Sequence, residues 1–252
     1  MTSQTIKPLA LIGENSKHFI AQGLKDNGFE VITLPADNRL APPVSSHADM
    51  LLLALDDTIF SNSVYVEKNK AVFNIITEYG YKIVCSDFDV SNEYPNDVAL
   101  NQAVIGKNIL GRKKSCATDI LDYTALHGYS YKSIKQGYAK CSTLILNEKA
   151  IISADTSIID VANSIGIKTL KINNGINEIT LDGYDYGFIG GASTVYDSKV
   201  FFFGNLNLHS QATQIIDFCK SNNSLPISLG AERLCDIGGA IILPYINTSI
   251  GN

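Results

Sequence analysis

The chain has 252 residues, 45% of them hydrophobic and 18% charged, which supplies ample apolar matter for a buried core at an ordinary charge load. Its net charge of -5 leaves no broad basic surface to neutralise phosphates, so a nucleic-acid partner is disfavoured, and the densest basic run, Arg112-Lys113-Lys114, reads as a solvated turn. No stretch approaches the ~20 apolar residues of a membrane span. The polar start from Met1 to Pro8 is followed only by the short run Leu9 to Ile12, so no export signal is read there, no membrane partner is expected and a cytoplasmic setting is.

Taken in chain order, Leu9 to Ile12 reads as a strand, Ser16 to Asn27 as a helix ended by Gly28, and Phe29 to Leu34 as a second strand. A unit then recurs. Each copy opens with a strand whose first residues are small or polar: Ala48-Asp49 before Met50 to Leu53, Asn96-Asp97 before Val98 to Leu100, Ala139-Lys140 before Thr143 to Leu146, Gly190-Gly191 before Ala192, and Gly238-Gly239 before Ala240 to Tyr245. The period is roughly 43–51 residues, that of propeller blades or helix-containing repeats. A turn and a second apolar strand follow, as at Thr58 to Phe60, Asn108 to Leu110, Ala150 to Ile152 and Lys199 to Phe203.

An amphipathic helix comes next. In the third copy Ile158, Ile159, Val161, Ala162 and Ile165 share one face, Asp155-Thr156-Ser157 supplies N-cap candidates and Gly166 a stop. In the fourth, His209-Ser210 precedes a helix that buries Ile215, Ile216, Phe218 and Cys219. A third strand closes each unit, as at Lys82 to Cys85, Lys168 to Ile172 and Pro226 to Leu229. The fifth copy has only its opening strand before the C-terminus, and the N-terminal strand, helix and strand complete it. A blade shared between the chain ends closes a ring without exposed sheet edges. Two strands before each helix argue against a doubly wound sheet, which alternates one to one.

The stretches "PNDVAL", "GYAKCS", "KVFFFGNLNLHSQATQI" and "LPISLGAERLCDIGGAIIL", with five units in order, resemble the guanidine-modifying (pentein) superfamily of dimethylarginine dimethylaminohydrolases, arginine and agmatine deiminases, and amidinotransferases. The resemblance implies an α/β fold, a single five-bladed α/β propeller over residues 1–252, with the opening strands around a central channel. It also implies a cysteine thiolate to attack a guanidinium carbon, a histidine to move protons, and two acids to hold the cation. Asp49 and Asp97 stand where the acids belong. Tyr138 stands at the histidine's place, Lys140 where a lysine is common, and Ile241 or Ile242 where the cysteine belongs, so no catalytic residue of the family kind is carried over.

The expectation is thus a catalytically degenerate relative that binds a small cationic or zwitterionic ligand, guanidino or amino-acid-like, through Asp49, Asp97, Tyr138 and Lys140 in an acidic central pocket. Two alternatives stay open. One is an enzyme with a relocated site drawn from His47, Cys141 and Cys235, in which Lys140 beside Cys141 would lower the thiol pKa. The other is a non-catalytic protein-binding ring like the ribosome anti-association initiation factor. His18, His127 and His209 read as peripheral. The five cysteines, Cys85, Cys116, Cys141, Cys219 and Cys235, are scattered without a CxxC pair, so no disulfide framework, metal site or cofactor is expected.

Overall fold

The computed structural model describes residues 6–176 and 178–247; the first five residues of the polar start lie outside them. Three elements open the chain: β1 (Leu9–Gly13), α1 (His18–Asp26) and β2 (Glu30–Leu34). The first internal unit follows with α2 (Ala48–Leu51), β3 (Leu53–Leu55), β4 (Thr58–Asn62), α3 (Ser63–Lys68), α4 (Lys70–Glu78) and β5 (Lys82–Ser86). The second comprises β6 (Ala103–Ile105), β7 (Asn108–Gly111), α5 (Thr118–Leu126) and β8 (Ser130–Ser133). The third has β9 (Thr143–Asn147), β10 (Ala150–Ser153), α6 (Thr156–Ser164) and β11 (Lys168–Lys171). After the short β12 (Ile179–Thr180), the fourth is built of β13 (Ser193–Tyr196), β14 (Lys199–Phe202), α7 (Ala212–Ser221) and β15 (Leu225–Ser228). The short β16 (Leu234–Cys235) and β17 (Ile241–Leu243) end the described chain.

Each internal unit makes one three-stranded sheet by the same local logic. Turns at Asp56-Asp57, Gly106-Lys107, Glu148-Lys149 and Asp197-Ser198 are two residues long, so the opening and middle strands pair antiparallel as hairpins. Asp197 and Ser198 both adopt positive φ, the conformation such a turn needs to match strand twist. The closing strand runs parallel to the middle one and is therefore reached through a helical crossover. In the third unit Asp155 caps that helix by accepting from the Ile158 backbone N–H at 3.0 Å.

Middle strands carry the burial. β4 and β10 are buried at every residue, whereas β5 and β11 are half-buried at their centres and expose Lys82, Lys168 and Lys171. The fifth sheet joins the chain ends: β17 pairs antiparallel with β1 through Leu9 and Leu243, and β1 pairs parallel with β2. The architecture is an α/β fold of five three-stranded sheets and one two-stranded sheet, β12 with β16, among the described residues.

One group of expectations needs correction. The five small or polar pairs do not begin strands; they lie in bends that precede them. Ala48-Asp49 sits in the single helical turn of α2, with His47 as its N-cap, so helical geometry rather than strand alternation relates His47 to Asp49. Val98 to Leu100 is a turn, and β6 starts only at Ala103. The reason is visible in the hydrogen bonds. Asp49 N donates to Gly238 O at 3.2 Å, Gly239 N to Gly191 O at 2.8 Å and Gly191 N to Cys141 O at 3.0 Å. Cys141 N then donates to Asn101 Oδ1 at 3.2 Å, and Asn101 Nδ2 donates to Asp49 O at 3.3 Å. The bends of all five units are thereby linked in one continuous ring of bonds, and backbone committed to that ring cannot also serve a sheet ladder.

Asn101 is fully buried and is the side chain that completes the ring, because its Oδ1 also accepts from Lys140 N at 2.8 Å. Its removal strands two buried N–H groups at a cost of about 1–3 kcal/mol each. Asn101→Ala is expected to lower stability by about 2–4 kcal/mol and Tm by roughly 10 °C, read by denaturant and thermal melts, while exposed Leu126→Ala stays within ~0.5 kcal/mol of the parent.

Candidate functional site

Inside the ring of bends lies a cluster of polar side chains. Cys141 Sγ donates to Asp49 Oδ2 at 2.9 Å and receives Asn101 Nδ2 at 3.2 Å. His47 Nδ1 stands 3.8 Å from Asp236 Oδ1. Phe188 N donates to Asp236 Oδ2 at 2.8 Å and Gly238 N to its Oδ1 at 2.9 Å, so two backbone groups orient this carboxylate. His47, Cys141 and Asp236 are all buried, and their nearest donor atoms lie within 4.8 Å of one another. Two glycines make the packing feasible: a Cβ on Gly191 would collide with the Asp236 carboxylate, and one on Gly238, which has φ +75°, would collide with His47.

A cavity of about 270 Å³ opens onto this cluster. Its inner wall is His47, Met50, Cys141 and Asp236, and its sides are aromatic. Tyr138 and Phe188 are stacked with centroids 6.3 Å apart, and Tyr186 meets Phe188 edge-on at 5.8 Å. Tyr138 Oη donates to Asp97 Oδ2 at 2.5 Å. A separate cavity of about 210 Å³ is lined by Asp49, Lys140 and residues of the opening strands, among them Leu53, Val104, Ile145 and Ile241.

The four residues expected to hold a ligand are therefore divided. Tyr138 faces the aromatic cavity with Asp97 behind it, whereas Asp49 and Lys140 face the other cavity, with Lys140 Nζ donating to Gly190 O at 3.1 Å. Of the relocated-site residues, His47 and Cys141 come together, with Asp236 as a third member. Cys235 donates to Phe203 O at 3.4 Å and lines a third cavity, of about 420 Å³, that shares His47 and Asp236 with the first. The peripheral histidines stay outside the cluster: His18 opens α1, His127 stacks on Tyr123, and His209 accepts from Gln211 N. Asp236 and Asn101 were not among the expected site residues. The acid two positions before Gly238-Gly239 was the signal for Asp236; Asn101 left none, because its role rests on contacts 40 and 52 residues away along the chain.

Electrostatics decide the resting state. Burial pushes the Cys141 thiol well above its usual range, and the neighbouring carboxylates of Asp49 and Asp236 push it further. The expected lowering by Lys140 does not occur, because the ammonium is turned to Gly190 O. Burial likewise raises the Asp49 carboxyl to about 6, against the opposing pull of Lys140 and His47. Tyr138 is raised by burial and by its bond to Asp97. The resting cluster thus holds a thiol, not a thiolate, beside two carboxyl groups.

The DUF6873 family model, described as a family of unknown function, matches residues 11–241. The chain belongs to that family. Among solved structures it is similar to the dimethylarginine dimethylaminohydrolase of Pseudomonas aeruginosa complexed with citrulline, at 10% identity over 94% of this chain and 96% of that one, with a TM-score of 0.57. It is also similar to an amidinotransferase of the saxitoxin biosynthetic pathway from Microseira wollei, at 10% identity over 97% and 96%, TM-score 0.60. A third likeness is to the inosamine-phosphate amidinotransferase of Streptomyces griseus, at 13% identity over 93% and 80%, TM-score 0.56. The α/β fold is thus similar to that of pentein enzymes; at these identities the likeness is one of fold. The sequence matches no curated protein. No helix among the described residues is long and apolar enough to cross a membrane.

Two measurements test the electrostatics. With a folded-state value near 6 and an ordinary value of 3.8, Asp49 keeps a proton in the fold that the unfolded chain has released. Its contribution to stability is full below about pH 4 and lost as pH rises through 6. Asp49→Asn should therefore gain Tm relative to the parent between pH 4.5 and 7.5 in EDTA; a constant difference across that window contradicts the assignment. Iodoacetamide at pH 7.5 should modify the exposed Cys85 first and Cys141 last, as read by peptide mass spectrometry.

Proposed function

We propose that the chain is a single-domain, five-bladed α/β propeller of the pentein type that binds a small guanidino or amino cation, and that it does so without family-type turnover in its resting state. The observation that carries the binding reading is the 270 Å³ cavity, which ends on the buried Asp236 carboxylate and is walled by Tyr138, Tyr186 and Phe188. A planar cation fits that lining for two reasons. Ring faces attract it by about 0.5–2 kcal/mol, and hydrogen bonds to an ionised carboxylate contribute ~1.5–3 kcal/mol each. Exposed Asp185 adds negative charge on the solvent side of the same cavity. The propeller reading is supported by the five like sheets, the shared sheet of the chain ends and the ring of bonded bends.

A second reading, thiol chemistry at a relocated site, is favoured by one observation: Cys141 lies beside His47. Against it, a thiol flanked by two carboxyl groups is a thiolate only to a small extent at neutral pH, and the thiolate is the nucleophile.

Arginine, agmatine, methylarginines and simple amino acids, each added to the chelator-treated protein, separate the two. At a hundredfold excess over Kd the favoured ligand should stabilise by about 2.7 kcal/mol, a Tm rise of roughly 5–11 °C, and Asp236→Asn should abolish the rise. Neither citrulline nor ammonia should accumulate. Release of either, lost in Cys141→Ala, replaces the binding reading with the thiol one, and no Tm shift with any of these compounds removes both.

A further inference from the structure

We infer that His47, Cys141 and Asp236 form a binding site for one zinc-type divalent cation at the inner end of the aromatic cavity. The inference starts from the donor set. Imidazole nitrogen, thiol sulfur and carboxylate oxygen together suit a borderline-soft metal such as Zn²⁺; Mg²⁺ and Ca²⁺ take oxygen ligands almost exclusively. Three protein donors are the complement of a zinc site that keeps its fourth position open. Here the open position faces the cavity, since all three residues line it.

The spacing agrees. Bond lengths of ~2.0–2.3 Å put tetrahedral ligand atoms roughly 3.3–3.8 Å apart. His47 Nδ1 and Asp236 Oδ1 already stand at 3.8 Å, and the whole set lies within 4.8 Å. A side-chain rotation at Cys141 closes the remainder, and its bonds are to side-chain atoms of Asp49 and Asn101, not to a rigid ladder.

Polar valence at the cluster is unmet. His47 is 4% exposed and its Nδ1 has no hydrogen-bond partner; Asp49, 3% exposed, has an unpartnered Oδ1 beside the thiol. Buried polar atoms are nearly always paired, and each unpaired one costs about 1–3 kcal/mol. The charge is unmet as well. Asp49 has one ammonium near it, that of Lys140, and the imidazole of His47, while His47 is the cationic-capable side chain beside Asp236. A divalent cation takes the imidazole lone pair, offsets both carboxylates and displaces the thiol proton, so that a sulfur–metal bond forms as the sulfur–hydrogen bond breaks. Asp49, 2.9 Å from the sulfur, is the acceptor placed to pass that proton to solvent.

The site needs no organic ligand, so it is separable from the binding function proposed above. The full-length protein, stripped with EDTA and dialysed, is titrated with ZnCl₂ by calorimetry and with CoCl₂ by absorption. One metal should bind per chain, and cobalt should give a sulfur-to-metal charge-transfer band in the near ultraviolet together with the visible bands of a tetrahedral ion. Cys141→Ala and His47→Gln should each weaken zinc binding at least ~100-fold, with loss of the sulfur band in the former. Cys235→Ala should leave affinity and band unchanged. Melts in EDTA show whether each variant is folded, and Asp49→Asn, which keeps all three ligands and removes one neighbouring negative charge, should weaken zinc by less than either ligand variant. No zinc uptake by the parent protein overturns the site, as does parental affinity in Cys141→Ala and His47→Gln. A guanidino-induced Tm shift in EDTA without zinc uptake would leave the binding reading standing and the metal site rejected; the reverse pair of results would do the opposite.

Discussion

The ring of hydrogen bonds through Asp49, Gly238, Gly191, Cys141 and Asn101 is the constraint on which the rest of the molecule depends. Each of the five sheets is small, and three strands with one helix cannot bury both of their faces alone. The bonded bends bring the opening strands β6, β9, β13 and β17 next to one another in that order, and Leu53 of β3 lines one cavity with Val104, Ile145 and Ile241. The two ends of the chain supply one sheet between them, β17 with β1 and β2.

That closure has a chemical consequence. A bend at the centre of a ring delivers the side chains next to it into a space with little water. Asp49 and His47 arrive there from one segment and Cys141 and Asp236 from two others, and their proximity follows from the bends and not from any strand. Burial then outweighs the attraction of Lys140, which is why the Asp49 carboxyl rises to about 6 and why the Cys141 thiol keeps its proton. The same crowding explains the two glycines: Gly191 lies against the Asp236 carboxylate and Gly238 against His47, at distances that no side chain tolerates. Acidic groups beside aromatic faces are the chemistry on which both proposed cation sites, organic and metallic, rest.

Most secondary elements were legible in the chain. The middle strands at Thr58, Asn108, Ala150 and Lys199 begin at the expected residues, and the helix over Ile158 to Ile165 has its expected cap and glycine stop, because short apolar runs and capping residues are local signals. The opening strands were misplaced where local signals mislead. Val98 to Leu100 is as apolar as a strand, yet it turns, because Asn101 must reach Asp49 and Cys141. The site was half legible. A resemblance of motif placed Asp49, Asp97, Tyr138 and Lys140 near the centre, but which cavity each faces depends on the pitch of the bend. His47 and Cys141 were candidates for one relocated site together with Cys235, which lies apart from them, and Asp236 was passed over.

By itself, then, the sequence determined the repeat, its period of five like units, the strand-strand-helix-strand order and the sharing of one unit between the termini. These are written in hydrophobic periodicity, turn residues and caps, which act over a few residues. The tertiary structure alone decided that a thiol, an imidazole and two carboxyl groups meet in one dry place with opposing demands on their protons. Those demands depend on distances between groups up to 189 positions apart, from His47 to Asp236, and on how deeply the fold buries them.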